Sequence, residues 1–71
     1  MTVVAGKYRH YKGKDYQVIG VAKHSEDETE YVVYRPLYGE QGLWIRPLAM
    51  FTETVLVDDV VTSRFQLISA E

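Results

Sequence analysis

Seventy-one residues, a formal net charge of −2 and no cysteine already bound what this chain can be. A chain this short forms one domain, residues 1–71, and buries only about 60–65% of the surface its unfolded form exposes, so its core is small and few side chains are spare for a site. With no cysteine there is no disulfide framework and no thiolate metal site, and no apolar run approaches the ~18 residues of a membrane span, so a cytoplasmic protein with no membrane partner is expected.

The opening MTVVAGKYRH carries four apolar residues before its glycine, short of a signal peptide's apolar segment. Strand signals then follow in order, as runs rich in tyrosine and β-branched residues bounded by glycine, aspartate and serine. Residues 7–11 (KYRHY) lead through Lys12-Gly13-Lys14-Asp15 into 16–22 (YQVIGVA), a hairpin whose glycine can take positive φ. The polar HSEDET, 24–29, connects to a third strand, 30–36 (EYVVYRP). A loop bounded by Gly39 and Gly42 precedes a fourth, 43–46 (LWIR), which Pro47 ends because proline cannot donate to a ladder. LAMFTE, 48–53, reads as one helical turn or as the start of a strand. TVLV at 54–57 and VVT at 60–62 flank Asp58-Asp59 as a last hairpin, SRF at 63–65 reads as a short helical turn, and QLI as a final edge.

No window supports a long amphipathic helix. The expected class is all-β: a small, strongly bent barrel of about five strands with at most a short helical turn, since a flat sheet of such short strands would leave a face and its edges bare. Alternation puts Tyr8 and His10 on one face of the first strand and Lys7, Arg9 and Tyr11 on the other. It makes the second strand apolar on both faces, hence central, and sets Tyr31, Val33 and Arg35 opposite Val32 and Tyr34 on the third. Nine aromatic residues exceed what so small a core holds at native packing density, so some rings are expected partly exposed.

Charge is uneven along the chain. Residues 1–24 carry Lys7, Arg9, Lys12, Lys14 and Lys23 against Asp15 alone, a balance of +4, and the remainder carries the balancing −6. Such asymmetry marks either an anion-seeking face or strands of complementary charge.

The blocks YRHYKGKDYQV, AKHSEDETEYVVYRPLYG, LWIRPLAMF and the closing SRF resemble the bacterial family called domain of unknown function 1653, over roughly residues 6–66. The resemblance implies a small SH3-like β barrel and no catalytic residue, metal or cofactor. The Asp58-Asp59 turn departs from the glycine-containing turn expected there.

The candidate chemistry is correspondingly spare. Two histidines, His10 and His24, with Glu26 as a third ligand, fall below any recognised zinc spacing and more often fix turns by bonding to backbone. Ser25 beside His24 is no nucleophile–base pair, because neighbours on an extended strand face opposite ways. Trp44 and Arg46 share one side of a short strand, with Tyr34 on the strand before it. These three, with Tyr8 and His10, form the candidate ligand site of a non-enzymatic binding module, suited to a planar, anionic or proline-rich partner. The competing structural account makes Trp44 a core plug and pairs Arg46 with Glu53. Spare rings on such a surface also suggest weak homodimerisation. The alternatives are a small hydrolase or metal-dependent enzyme centred on His10, His24 and Glu26, and a weak single-stranded nucleic-acid binder using Lys7, Arg9, Tyr11, Lys12 and Lys14, which the acidic second half disfavours.

Overall fold

A computed structural model describes residues 3–71. Its elements run β1 (Gly6–His10), β2 (Asp15–Lys23), β3 (Glu30–Pro36), β4 (Trp44–Pro47), α1 (Leu48–Phe51), β5 (Thr54–Val57), β6 (Val60–Ser63) and β7 (Phe65–Ala70). The protein is all-β but for one helical turn, and the expected strands stand within a residue or two of their places. Five strands form an antiparallel sheet in the order β4-β3-β2-β1-β7, and β5 and β6 form a separate hairpin.

Two expectations need correction. SRF is not a helical turn: Ser63 ends β6, Phe65 begins β7 opposite His10, and the Tyr11 N–H donates to the Arg64 carbonyl at 2.9 Å. Ladder bonds from a strand distant in sequence override the local preference there. Nor does the sheet close into a barrel, for β4 and β7 remain opposite edges. β4 stops at Pro47 after four residues, and the β5–β6 hairpin leaves the sheet instead of bridging its edges, which stretches the molecule to 39 × 26 × 21 Å.

Alternation sorts the faces as read. Val32, Tyr34 and Pro36 of β3 point into the core, with Val18 and Tyr16 beside them on β2 and Tyr8 on β1. A register shift between Val18 and Gly20 leaves Ile19 exposed and bends β2, and a second bends the β1–β7 pair between Lys7 and Tyr8. The buried core is Tyr8, Tyr16, Val18, Val32, Tyr34, Phe51 and Phe65, so five of its seven side chains are aromatic.

What covers part of that inner face is α1. Its single turn, stopped by the Thr52 N–H and hydroxyl on the Leu48 carbonyl, drops Phe51 onto the sheet. The Phe51 ring stacks on Phe65 with centroids 4.1 Å apart and meets Tyr8 edge-on at 5.5 Å. Burying one such ring contributes about 2–3 kcal/mol from area alone. At the same end Gly6 sits at φ +149° against β7, where a Cβ would lie 2.9 Å from the Ala70 Cα.

Candidate functional site

The aromatic cluster extends past Phe51 to the edge strand β4 and the β3–β4 loop. Register places Tyr34 opposite Trp44 and Val32 opposite Arg46, so Trp44 and Arg46 project on the same side as the core. The last short strand carries them beyond the cover of Phe51. Tyr34 is only 3% exposed, whereas Trp44, 6.1 Å from it and perpendicular, is 46% exposed. Trp44 is therefore surface and not a core plug.

Tyr16 is the hub of this end. Its ring lies 6.3 Å from Trp44, 5.6 Å from Tyr34, 5.8 Å from Tyr38 and 6.4 Å from His10. Its hydroxyl hydrogen-bonds that of Tyr38 at 3.0 Å, and Tyr38 is 40% exposed in the β3–β4 loop. Burial first, and the neighbouring Tyr38 hydroxyl second, push the Tyr16 phenol up to about 12. It stays neutral at any ordinary pH.

Cations flank these rings. The Arg46 Nε–H donates to the Tyr34 hydroxyl at 3.3 Å, and the guanidinium lies over the Phe65 ring 5.6 Å from its centroid. Glu53, the partner that sequence offered Arg46, instead holds Arg64 at 2.6 Å, so among the described residues Arg46 has no carboxylate partner. The Lys14 ammonium lies 5.1 Å from the centroid of Tyr38. A planar guanidinium fixed by one hydroxyl and one ring is oriented in advance for a bidentate acceptor.

The two histidines are not brought together. His10 stands at the β1–β2 turn and His24 at the β2–β3 turn, opposite ends of a nine-residue strand, a span of roughly 30 Å at ~3.3 Å per residue. Each does the same local work: His10 Nδ1 accepts the Lys12 N–H, and His24 Nδ1 accepts the Glu26 N–H, both at 3.1 Å. Ser25 donates to its neighbour Glu26, and Asp27 holds the Thr29 N–H, so HSEDET is turn chemistry throughout. Among the described residues no group of three His, Asp or Glu side chains could hold a metal ion. His10 alone reaches the aromatic end, its ring 5.0 Å from Phe65, and desolvation, then Arg64, Arg46 and Lys12, hold its pKa below the usual imidazole value.

Tyr8 does not join this surface. It is buried against Phe51, on the far side of Tyr16 from Trp44, and its hydroxyl donates to the Val4 carbonyl at 2.8 Å. Tyr34 belongs to the site only as floor. Sequence reasoning missed Tyr16 and Tyr38; alternation with Val18 was a signal for the first, and the loop gave none for the second. The basic stripe is partly spent, since Asp15 pairs with Arg9 at 2.8 Å and Lys7 at 3.7 Å, the complementary-strand account of the charge asymmetry. Two small clefts lie elsewhere: about 210 Å³ between the β1–β2 turn and the β5–β6 hairpin, and about 190 Å³ beside Tyr8, Phe51 and Phe65.

Residues 6–67 match the family described as protein of unknown function (DUF1653). The chain belongs to that family. A crystal structure of a protein belonging to it, from Bordetella bronchiseptica, is similar at a TM-score of 0.86 and 34% identity, covering 97% of this chain and 91% of that one. No curated protein matches. The family carries the fold without an assigned activity, and its matched span includes every residue of the aromatic end. Among the described residues no helix is long and apolar enough to cross a membrane.

Proposed function

We propose that this DUF1653 domain is a non-enzymatic binding module whose exposed aromatic surface, Trp44, Tyr38 and Arg46 over a floor of Tyr16 and Tyr34 with His10 at its margin, recognises a planar or anionic group on its partner. The observation that carries the reading is Arg46: a guanidinium held by the Tyr34 hydroxyl and the Phe65 ring, beside a half-exposed tryptophan, with no carboxylate to occupy it. Exposed aromatic side chains with an arginine are the residue types that dominate recognition surfaces. We place this work in a bacterial cytoplasm, since the solved relative is bacterial and a cysteine-free chain suits a reducing compartment.

The test is a titration of the isotopically labelled protein with phenol, indole and benzoate, followed by NMR. Shift changes should gather on the Trp44 indole N–H, Tyr38 and the Arg46 Nε–H, and Trp44→Ala should weaken the response by about tenfold or more. Changes scattered over the molecule, or gathered at the cleft beside Thr52 and Thr54, would overturn the assignment. Weak self-association through the same surface accompanies this reading, because the Trp44 and Tyr38 rings are half-exposed. A single monomeric species in sedimentation at high concentration would remove it.

A further inference from the structure

Resting on that binding reading, we infer that the group taken by this surface is an oxyanion carried on a planar ring, its charge against Arg46 and its ring on Trp44 and Tyr38. Cations outnumber free carboxylates around the rings. Arg46 and Arg64 approach from the β4 and β6–β7 side and Lys12 and Lys14 from the β1–β2 turn. Of the nearby carboxylates, Glu53 is committed to Arg64 and Asp15 to Arg9 and Lys7, which leaves Glu40 of the Tyr38 loop against these cations.

The polar groups of the floor add no negative charge. The Tyr16 and Tyr38 hydroxyls hydrogen-bond each other. His10 uses Nδ1 as an acceptor for the Lys12 N–H, which puts the remaining ring proton of the neutral imidazole on Nε2, a donor. The end is thus rich in donors and positive charge, with flat apolar surface beside them. A cationic ligand would meet repulsion, and a neutral ring would leave Arg46 without a charged acceptor. A ring bearing sulfate, sulfonate, phosphate or carboxylate satisfies both halves, through stacking and the bidentate fork.

The experiment compares 4-toluenesulfonate with 4-toluenesulfonamide, its near-isosteric neutral counterpart, using fluorescence of Trp44, the chain's one tryptophan. Sulfonate should bind about tenfold more tightly in ~0.02 M salt, and the advantage should shrink several-fold in ~0.2 M salt as screening grows. Inorganic sulfate should bind more weakly than the sulfonate. Arg46→Gln should erase the preference, lowering sulfonate affinity by more than sulfonamide affinity. Lys14→Ala, at an exposed turn position that the fold does not need, should reduce the preference part-way and serves if Arg46→Gln does not fold. Equal affinities for the two compounds, or a preference unchanged in both variants, overturn the anion inference while the binding reading survives. Sulfate binding as tightly as sulfonate overturns the ring half. If neither aryl compound perturbs Trp44, the binding reading falls as well.

Discussion

The two ends of the sheet's inner face are built from the same material and differ in one turn of helix. At the covered end Tyr8, Phe65 and Phe51 form a closed stack, sealed by the Phe51 that α1 delivers. At the open end Trp44 and Tyr38 lie half-exposed against the buried Tyr16, and in place of a covering ring there is the Lys14 ammonium beside Tyr38 and the Arg46 guanidinium over Phe65. The difference teaches that a small domain with surplus rings does not distribute the surplus evenly. A four-residue helix covers about one ring's worth of sheet, and the remainder collects at one end as a surface. Stability is therefore expected to reside in the covered end and recognition in the open one.

Substitutions that separate those two roles can break the comparison. The largest effect belongs to Phe51→Ala, which opens a cavity against Phe65, Tyr8 and Tyr34 and should cost about 3–5 kcal/mol in chemical denaturation. Gly6→Ala should follow at about 2–3 kcal/mol, since its Cβ would be driven into the Ser69 carbonyl and the Ala70 backbone at a φ that L-residues rarely adopt. Trp44→Ala, by contrast, should cost about 1 kcal/mol or less while weakening aryl binding by about tenfold or more. A loss for Trp44→Ala as large as that for Phe51→Ala would show the open end to be core and end the distinction.

Two smaller effects sharpen it. Asp58 and Asp59 both occupy left-handed backbone at φ 49° and 63°, the requirement of a tight hairpin turn. Replacing the pair with Asn-Gly should stabilise by about 0.5–1 kcal/mol without touching binding, which thermal denaturation beside the Trp44 titration would check. The last concerns pH. The His10 pKa lies below its ordinary 6.5, so as pH falls the unfolded chain takes up this proton before the folded one does. The stability contributed by neutral His10 is full above about 6.5 and declines as pH falls toward the lowered folded value. His10→Asn keeps an acceptor for the Lys12 N–H but cannot titrate. Its melting temperature should therefore fall less than that of the parent between about pH 7.5 and pH 5.

Much of the fold was legible in the sequence because alternating side chains and turn residues are local signals. The runs at Tyr16–Ala22 and Glu30–Pro36 declared both their extent and their faces. Where the signal failed, a non-local contact decided: Ser63-Arg64-Phe65 is extended because Phe65 pairs with β1, which no window of three residues can reveal. The open edges were likewise illegible, since closure depends on where β5 and β6 go and not on their composition. The site was half legible. Trp44 and Arg46, two apart on a strand, announced a shared face, and Tyr34 opposite Trp44 followed from the hairpin. Tyr8 was misplaced because face membership does not say which end of a face a helical turn will cover, and α1 is too short to show a helical period. Tyr38 and Lys14 join through a loop and a turn, where spacing carries no direction.

The central claim is that the surplus rings form an accessible, positively charged surface, and collisional quenching of Trp44 tests it most directly. Iodide, an anion, should quench the indole strongly, and caesium, a cation of similar use, only weakly, with the gap closing in Arg46→Gln. Weak quenching by both ions, or caesium outperforming iodide, would contradict the account.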